Sequence, residues 1–80
     1  MVEKFKEVKL DGDPTFVKGI ESKNISASLF KTERGIYARV VNWKTNDRWE
    51  IGFPFGYDPQ KINLERAVKL SLRRNLRKVI

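Results

Sequence analysis

Eighty residues without a single cysteine or histidine set narrow bounds on this protein. The length suits one small domain, which buries only about 60% of the surface its unfolded chain exposes. The missing thiols exclude disulfides and thiolate metal sites, and the missing imidazoles remove the usual general base, metal ligand and near-neutral pH switch.

The formal charge is +7, from 17 Lys and Arg against 10 Asp and Glu. It is uneven: residues 1–40 carry 8 basic and 6 acidic side chains, and residues 41–80 carry 9 and 4. A gradient of this kind points to a directed positive surface. No run of about 18 apolar residues exists, so no membrane span is expected. Met1-Val2-Glu3-Lys4-Phe5-Lys6 lacks the apolar core of a signal peptide, and the chain reads as cytoplasmic. Hydrophobic residues make up 40%, enough to fold rather than stay disordered.

In chain order, Phe5, Val8 and Leu10 alternate roughly with charges, as a short strand with a bulge or an irregular arm would. Asp11-Gly12-Asp13-Pro14 is a turn signal. Thr15 to Ile20 reads either as a short helical turn, capped by Asp13 and ended by Gly19, or as a strand. From Ile25 the pattern sharpens. Ile25, Ala27 and Leu29 point one way, and Ser26, Ser28 and Phe30 the other. Thr32-Glu33-Arg34-Gly35 is a hairpin turn, with Gly35 free to take positive φ. In the next strand Ile36, Ala38 and Val40 share one face; Tyr37, Arg39, Val41 and Trp43 share the other. After the polar turn Lys44-Thr45-Asn46-Asp47, a third strand puts Trp49, Ile51, Phe53 and Phe55 opposite Arg48, Glu50 and Gly52. Pro54 cannot donate to a ladder and should end the pairing.

The last element is a helix over 63–80. Asn63 is its N-cap, with Glu65 near the positive end of the dipole and Arg77 and Lys78 near the negative end. Leu64, Ala67, Val68, Ser71, Leu72, Leu76 and Val79 form one apolar-to-neutral stripe. Arg66, Lys69, Arg73, Arg74, Arg77 and Lys78 fill the rest. A three-stranded sheet is marginal by itself, and a helix laid across its apolar face buries both. The expected fold is therefore α+β: a three-stranded antiparallel meander packed on one face by the C-terminal helix. Residues 25–80 form the sheet-plus-helix unit and residues 1–24 an N-terminal arm or extra strand, in one domain.

The sheet face turned away from the helix then carries Tyr37, Arg39, Trp43 and Arg48, a mixture of guanidinium and aromatic groups suited to nucleic acid and equally to protein hot spots. Residues 1–24 offer a competing arrangement, since Phe5, Val8, Leu10, Phe16, Val17 and Ile20 are apolar enough to cover that face as a second core layer. The six cations of the helix suit phosphates or an acidic partner. No catalytic pattern is present. Asp11 and Asp13 are too few for a calcium loop, phosphate-loop and dinucleotide-loop glycines are missing, and Asp47 and Glu50 sit beside a turn. No enzyme, cofactor, metal or small-molecule substrate is expected.

The stretch R-G-I-Y-A-R-V-V-N-W-K-T-N-D-R-W-E-I-G-F-P-F, followed by N-L-E-R-A-V-K-L-S-L, resembles the plant ethylene-response-factor domain and the arm-site-binding domain of tyrosine integrases. The likeness covers about residues 25–76. Pro54 and the longer loop to Asp58 depart from it, and no diagnostic motif is matched end to end. Those domains insert their sheet into the DNA major groove. The resemblance implies that Arg39, Trp43 and Arg48 face the groove and that Lys31, Arg34 and Lys44 contact phosphates. The double-stranded RNA-binding domain shares the strand–strand–strand–helix order, but this chain lacks its first helix and its lysine-rich helix start. The expected function is a small accessory or regulatory protein, of a phage or mobile element, that binds nucleic acid, with double-stranded DNA ahead of RNA. The alternative is a protein-interaction module, such as a viral inhibitor docking on an acidic protein.

Overall fold

The computed structural model describes residues 4–9, 12–54 and 56–78, the last five of these as backbone only. Five antiparallel strands, β1 (Lys6–Val8), β2 (Phe16–Glu21), β3 (Ile25–Thr32), β4 (Gly35–Asn42) and β5 (Asp47–Phe53), lie side by side in chain order. A 3₁₀ turn (Pro59–Lys61) leads into the helix α1 (Leu64–Lys78). The α+β class stands, but the three-stranded sheet is corrected to five strands. Residues before Ile25 add two strands to the β3 edge, and the segment from Phe16 is a strand rather than a helical turn. The reason is local as well as tertiary. Asp13 Oδ1 accepts from the Thr15 amide (2.9 Å) and the Thr15 hydroxyl (2.7 Å), which closes a turn and launches an extended chain beside β3.

The register lines side chains up in rows across the sheet. On the side facing α1, Glu7, Ile20, Ala27, Val40 and Trp49 form one row, and Lys18, Leu29, Ala38 and Ile51 the next. The bulge between Phe16 and Lys18 sets this phase in β2. It turns the Lys18 stem inward and lets its ammonium donate to the carbonyls of Gln60 (3.0 Å) and Ile62 (2.5 Å), tying the 3₁₀ turn to the sheet.

Leu29, Val40 and Val68 are wholly buried, with Ile25, Ala27, Ile36, Ala38, Ile62 and Leu64 around them. Phe5, Val17, Ile20, Trp49, Ile51, Phe53 and Leu72 close the margins. Each large aliphatic side chain so buried contributes about 1.5–3 kcal/mol. The helix starts where its cap residue demands: Asn63 Oδ1 accepts from the Arg66 amide (3.1 Å). Farther along, the Trp49 indole donates to Ser71 Oγ (2.8 Å), and that hydroxyl donates to the Val68 carbonyl (2.8 Å). Of the residues placed by sequence pattern, Leu10, Asp11, Phe55 and Val79 lie outside the described residues, as do the side chains of Arg74, Leu76, Arg77 and Lys78.

Candidate nucleic-acid interface

Among the described residues nothing is laid over the outer face of the sheet, because β1 and β2 extend the sheet instead of folding over it. Its rows also follow from the register. Lys6, Glu21, Ser26, Val41 and Arg48 share one. Val8, Gly19, Ser28, Arg39 and Glu50 share the second, and Phe16, Phe30, Tyr37 and Gly52 the third. The third row is an aromatic ladder. Phe16 meets Phe30 edge-on at 5.9 Å between centroids, and Phe30 stacks on Tyr37 at 5.4 Å. Gly19 makes room for it: a methyl group there would come within 3.2 Å of the Phe16 ring and of the Ala27 carbonyl.

The sequence-derived candidates scatter over this frame. Tyr37, Arg39 and Arg48 share the outer face, with the Arg39 and Glu50 side chains 67% and 60% exposed. Trp43 directly follows the last residue of β4, and its amide still donates to the Asn24 carbonyl (2.7 Å). It is the first residue of the turn, 58% exposed, with Lys44 beside it. Asn42 organises this turn, since its side-chain oxygen accepts from the amides of Lys44 (3.0 Å) and Thr45 (3.3 Å). Asn46 completes the turn with φ 63°. Arg34 stands at the tip of the other hairpin, at the far end of β4. Lys31 pairs with Ile36, so its side chain lies on the helix side of the sheet and not with Arg39.

Charge separates the two exposed surfaces more sharply than shape. Among the described residues the outer-face rows hold Lys6, Arg39 and Arg48 against Glu21 and Glu50. Lys6 stands opposite Glu21, and Arg39 Nε lies 3.4 Å from Glu50 Oε2. That face is close to neutral. The segment 64–78 holds six basic residues and one acidic residue, so it carries five of the seven net charges of the whole chain. Its stripe of Leu64, Val68 and Leu72 is turned to the sheet, which leaves Arg66, Lys69 and Arg73 exposed on the opposite side. Glu65 is held by Lys69 at 3.5 Å, both about half exposed, and offsets little of the rest.

The aromatic ladder with Phe16 escaped the sequence reading because the β2 bulge hides the alternation that would have aligned it with Phe30. Among the described residues no cluster of potential metal ligands occurs, and no helix is long and apolar enough to cross a membrane. No family model, curated protein or solved structure matches the chain significantly.

Proposed function

We propose that this protein binds nucleic acid, a duplex first of all, through phosphate contacts made by the outward side of α1. One observation carries the reading: Arg66, Lys69 and Arg73 are exposed together on one helix face with Glu65 as the one acid of that segment, while on the sheet face Lys6 stands opposite Glu21 and Arg39 is paired with Glu50. A helix of 15 residues is about 22 Å long, enough to follow several phosphates of a backbone that carries one charge per roughly 1.7 Å of duplex axis. Insertion of the sheet into the major groove is less well supported. Five strands at about 4.8 Å spacing make a slab about 19 Å wide, against a groove of about 12 Å. Contacts from the helix surface to phosphates read little base sequence, so the binding is expected to be largely non-specific.

Fluorescence anisotropy with a labelled random duplex tests this across a salt series. The wild-type protein is expected to bind at low salt, and three phosphate contacts would give a slope of about −3 in log affinity against log salt. Reversing Arg66 and Arg73 to Glu should abolish most of the binding, and Arg39→Ala should change it little. Loss through Arg39→Ala and not through the helix variant would move the contact to the sheet face. No retention at micromolar protein, together with capture of one acidic protein regardless of nuclease treatment, would replace nucleic acid with a protein partner.

A further inference from the structure

The sheet has two edges, and they are not alike. β1 presents three residues, whereas β5 presents seven, Asp47 to Phe53. Which backbone groups of β5 are free follows from the hydrogen bonds at the strand ends. The Lys31 amide donates to Thr15 and the Trp43 amide to Asn24. Antiparallel alternation then directs Arg39 and Val41 to β3, and Ala38 and Val40 to β5. Their partners Ile51 and Trp49 are spent on that ladder, so Arg48, Glu50 and Gly52 turn their N–H and C=O groups out from the edge. All three residues are exposed. Pro54, next in this alternation, has no N–H and ends the free row.

We propose that this edge pairs with a second copy of itself, antiparallel, about a two-fold axis at Trp49. In that register Arg48 stands opposite the partner's Glu50 and Glu50 opposite the partner's Arg48, on the outer face, so two ion pairs form across the seam. The free N–H and C=O groups of the same two residues close four backbone hydrogen bonds. The register centred on Glu50 sets two carboxylates against each other, that on Arg48 two guanidinium groups, and that on Ile51 leaves Glu50 facing glycine, so charge favours the register at Trp49. Within each copy Arg39 already holds Glu50 at 3.4 Å, which places that carboxylate between two guanidinium groups in the pair. The axis is perpendicular to the sheet and keeps both copies of α1 on the same side of one continuous sheet. The inference is independent of the nucleic-acid reading, since it concerns the protein alone.

Sedimentation equilibrium from micromolar to millimolar protein tests it. The wild-type chain is expected to pass from one copy to two as concentration rises, weakly, since edge pairing covers little area. E50R sets guanidinium groups against each other across the seam, and R48E does the same with carboxylates. Each variant alone should therefore dimerise more than about tenfold less well. An equimolar mixture of the two variants restores both ion pairs and should dimerise like the wild type. A wild-type chain that stays single throughout, a lone variant that dimerises undiminished, or a mixture that stays single would each overturn the proposal. Amide exchange of the unmodified protein gives a measurement free of substitutions. Protection at Arg48 and Glu50 should rise with concentration, and protection indifferent to concentration would also overturn it.

Discussion

The two faces of this sheet are built from alternate residues of the same strands, yet they were given opposite tasks. The helix side is layered with aliphatic side chains down to zero exposure at Leu29 and Ala38. On the outer side, serines, glycines and mixed charges share the surface with a half-buried aromatic ladder. Removing water from the first face supplies most of the folding free energy, while the second adds its aromatic pairs, about 0.5–1.5 kcal/mol each, and little from its exposed ion pairs. The difference also bears on function. On the outer face Lys6 stands opposite Glu21 and Arg39 pairs with Glu50, leaving Arg48 without an opposed carboxylate, whereas Arg66, Lys69 and Arg73 are exposed together on the back of the element that seals the core.

Substitutions that disturb packing on either side should therefore cost far more than those at the exposed charges of the outer face. Leu29→Ala is expected to have the largest effect, about 2–5 kcal/mol in denaturant unfolding, because it empties a wholly buried site. In a domain of this size that is a large part of the total stability. A loss under about 1 kcal/mol would mean that the helix does not pack as described. Gly19→Ala comes next. The added methyl meets the Ala27 carbonyl and the Phe16 ring at 3.2 Å, and overpacking of this kind costs about 1–3 kcal/mol. Ring-proton shifts of Phe16 should move with it, and unmoved shifts would detach Gly19 from the ladder.

Ser71→Ala leaves the Trp49 indole N–H without its acceptor and is expected to cost about 1 kcal/mol. The emission of Trp49 should change while that of exposed Trp43 stays, which Trp43→Phe as a background makes readable. Arg39→Ala should fall within about 0.5 kcal/mol, since both members of its ion pair are largely exposed.

The smallest expected effect is acid-dependent. The Thr15 hydroxyl and then its amide hold the Asp13 carboxyl below its ordinary value. A depressed carboxylate contributes stability above its unfolded pKa and loses it as pH falls through the lower folded value. Asp13→Asn should remove that contribution, lowering stability slightly at neutral pH and flattening the acid limb of a stability–pH curve, while the neutral region stays flat because no histidine titrates there. An unchanged acid limb would show that Asp13 has no part in it.

Much of the chain from Ile25 onward was legible from local rules. Strict alternation marked the faces of β3, β4 and most of β5, Gly35 marked a hairpin, and Asn63 marked the start of a helix whose apolar stripe had to face the sheet. The turn after β4 was less legible, because the Asn42 side chain that accepts from the Lys44 and Thr45 amides leaves no mark in hydrophobic patterning. The opening strands were illegible for a different reason. In β2 the bulge at Val17 breaks the two-residue period, Lys18 points inward, and Gly19 has no side chain to declare a face.

Composition and spacing by themselves determined the class, the helix and its charge, because periodicity and net charge are local sums over residue types. Strand number and the unequal edges at β1 and β5 were decided only in three dimensions. Strand pairing joins backbones that lie far apart in the chain, and an N–H group bonds to whichever backbone reaches it, whatever side chain that backbone carries.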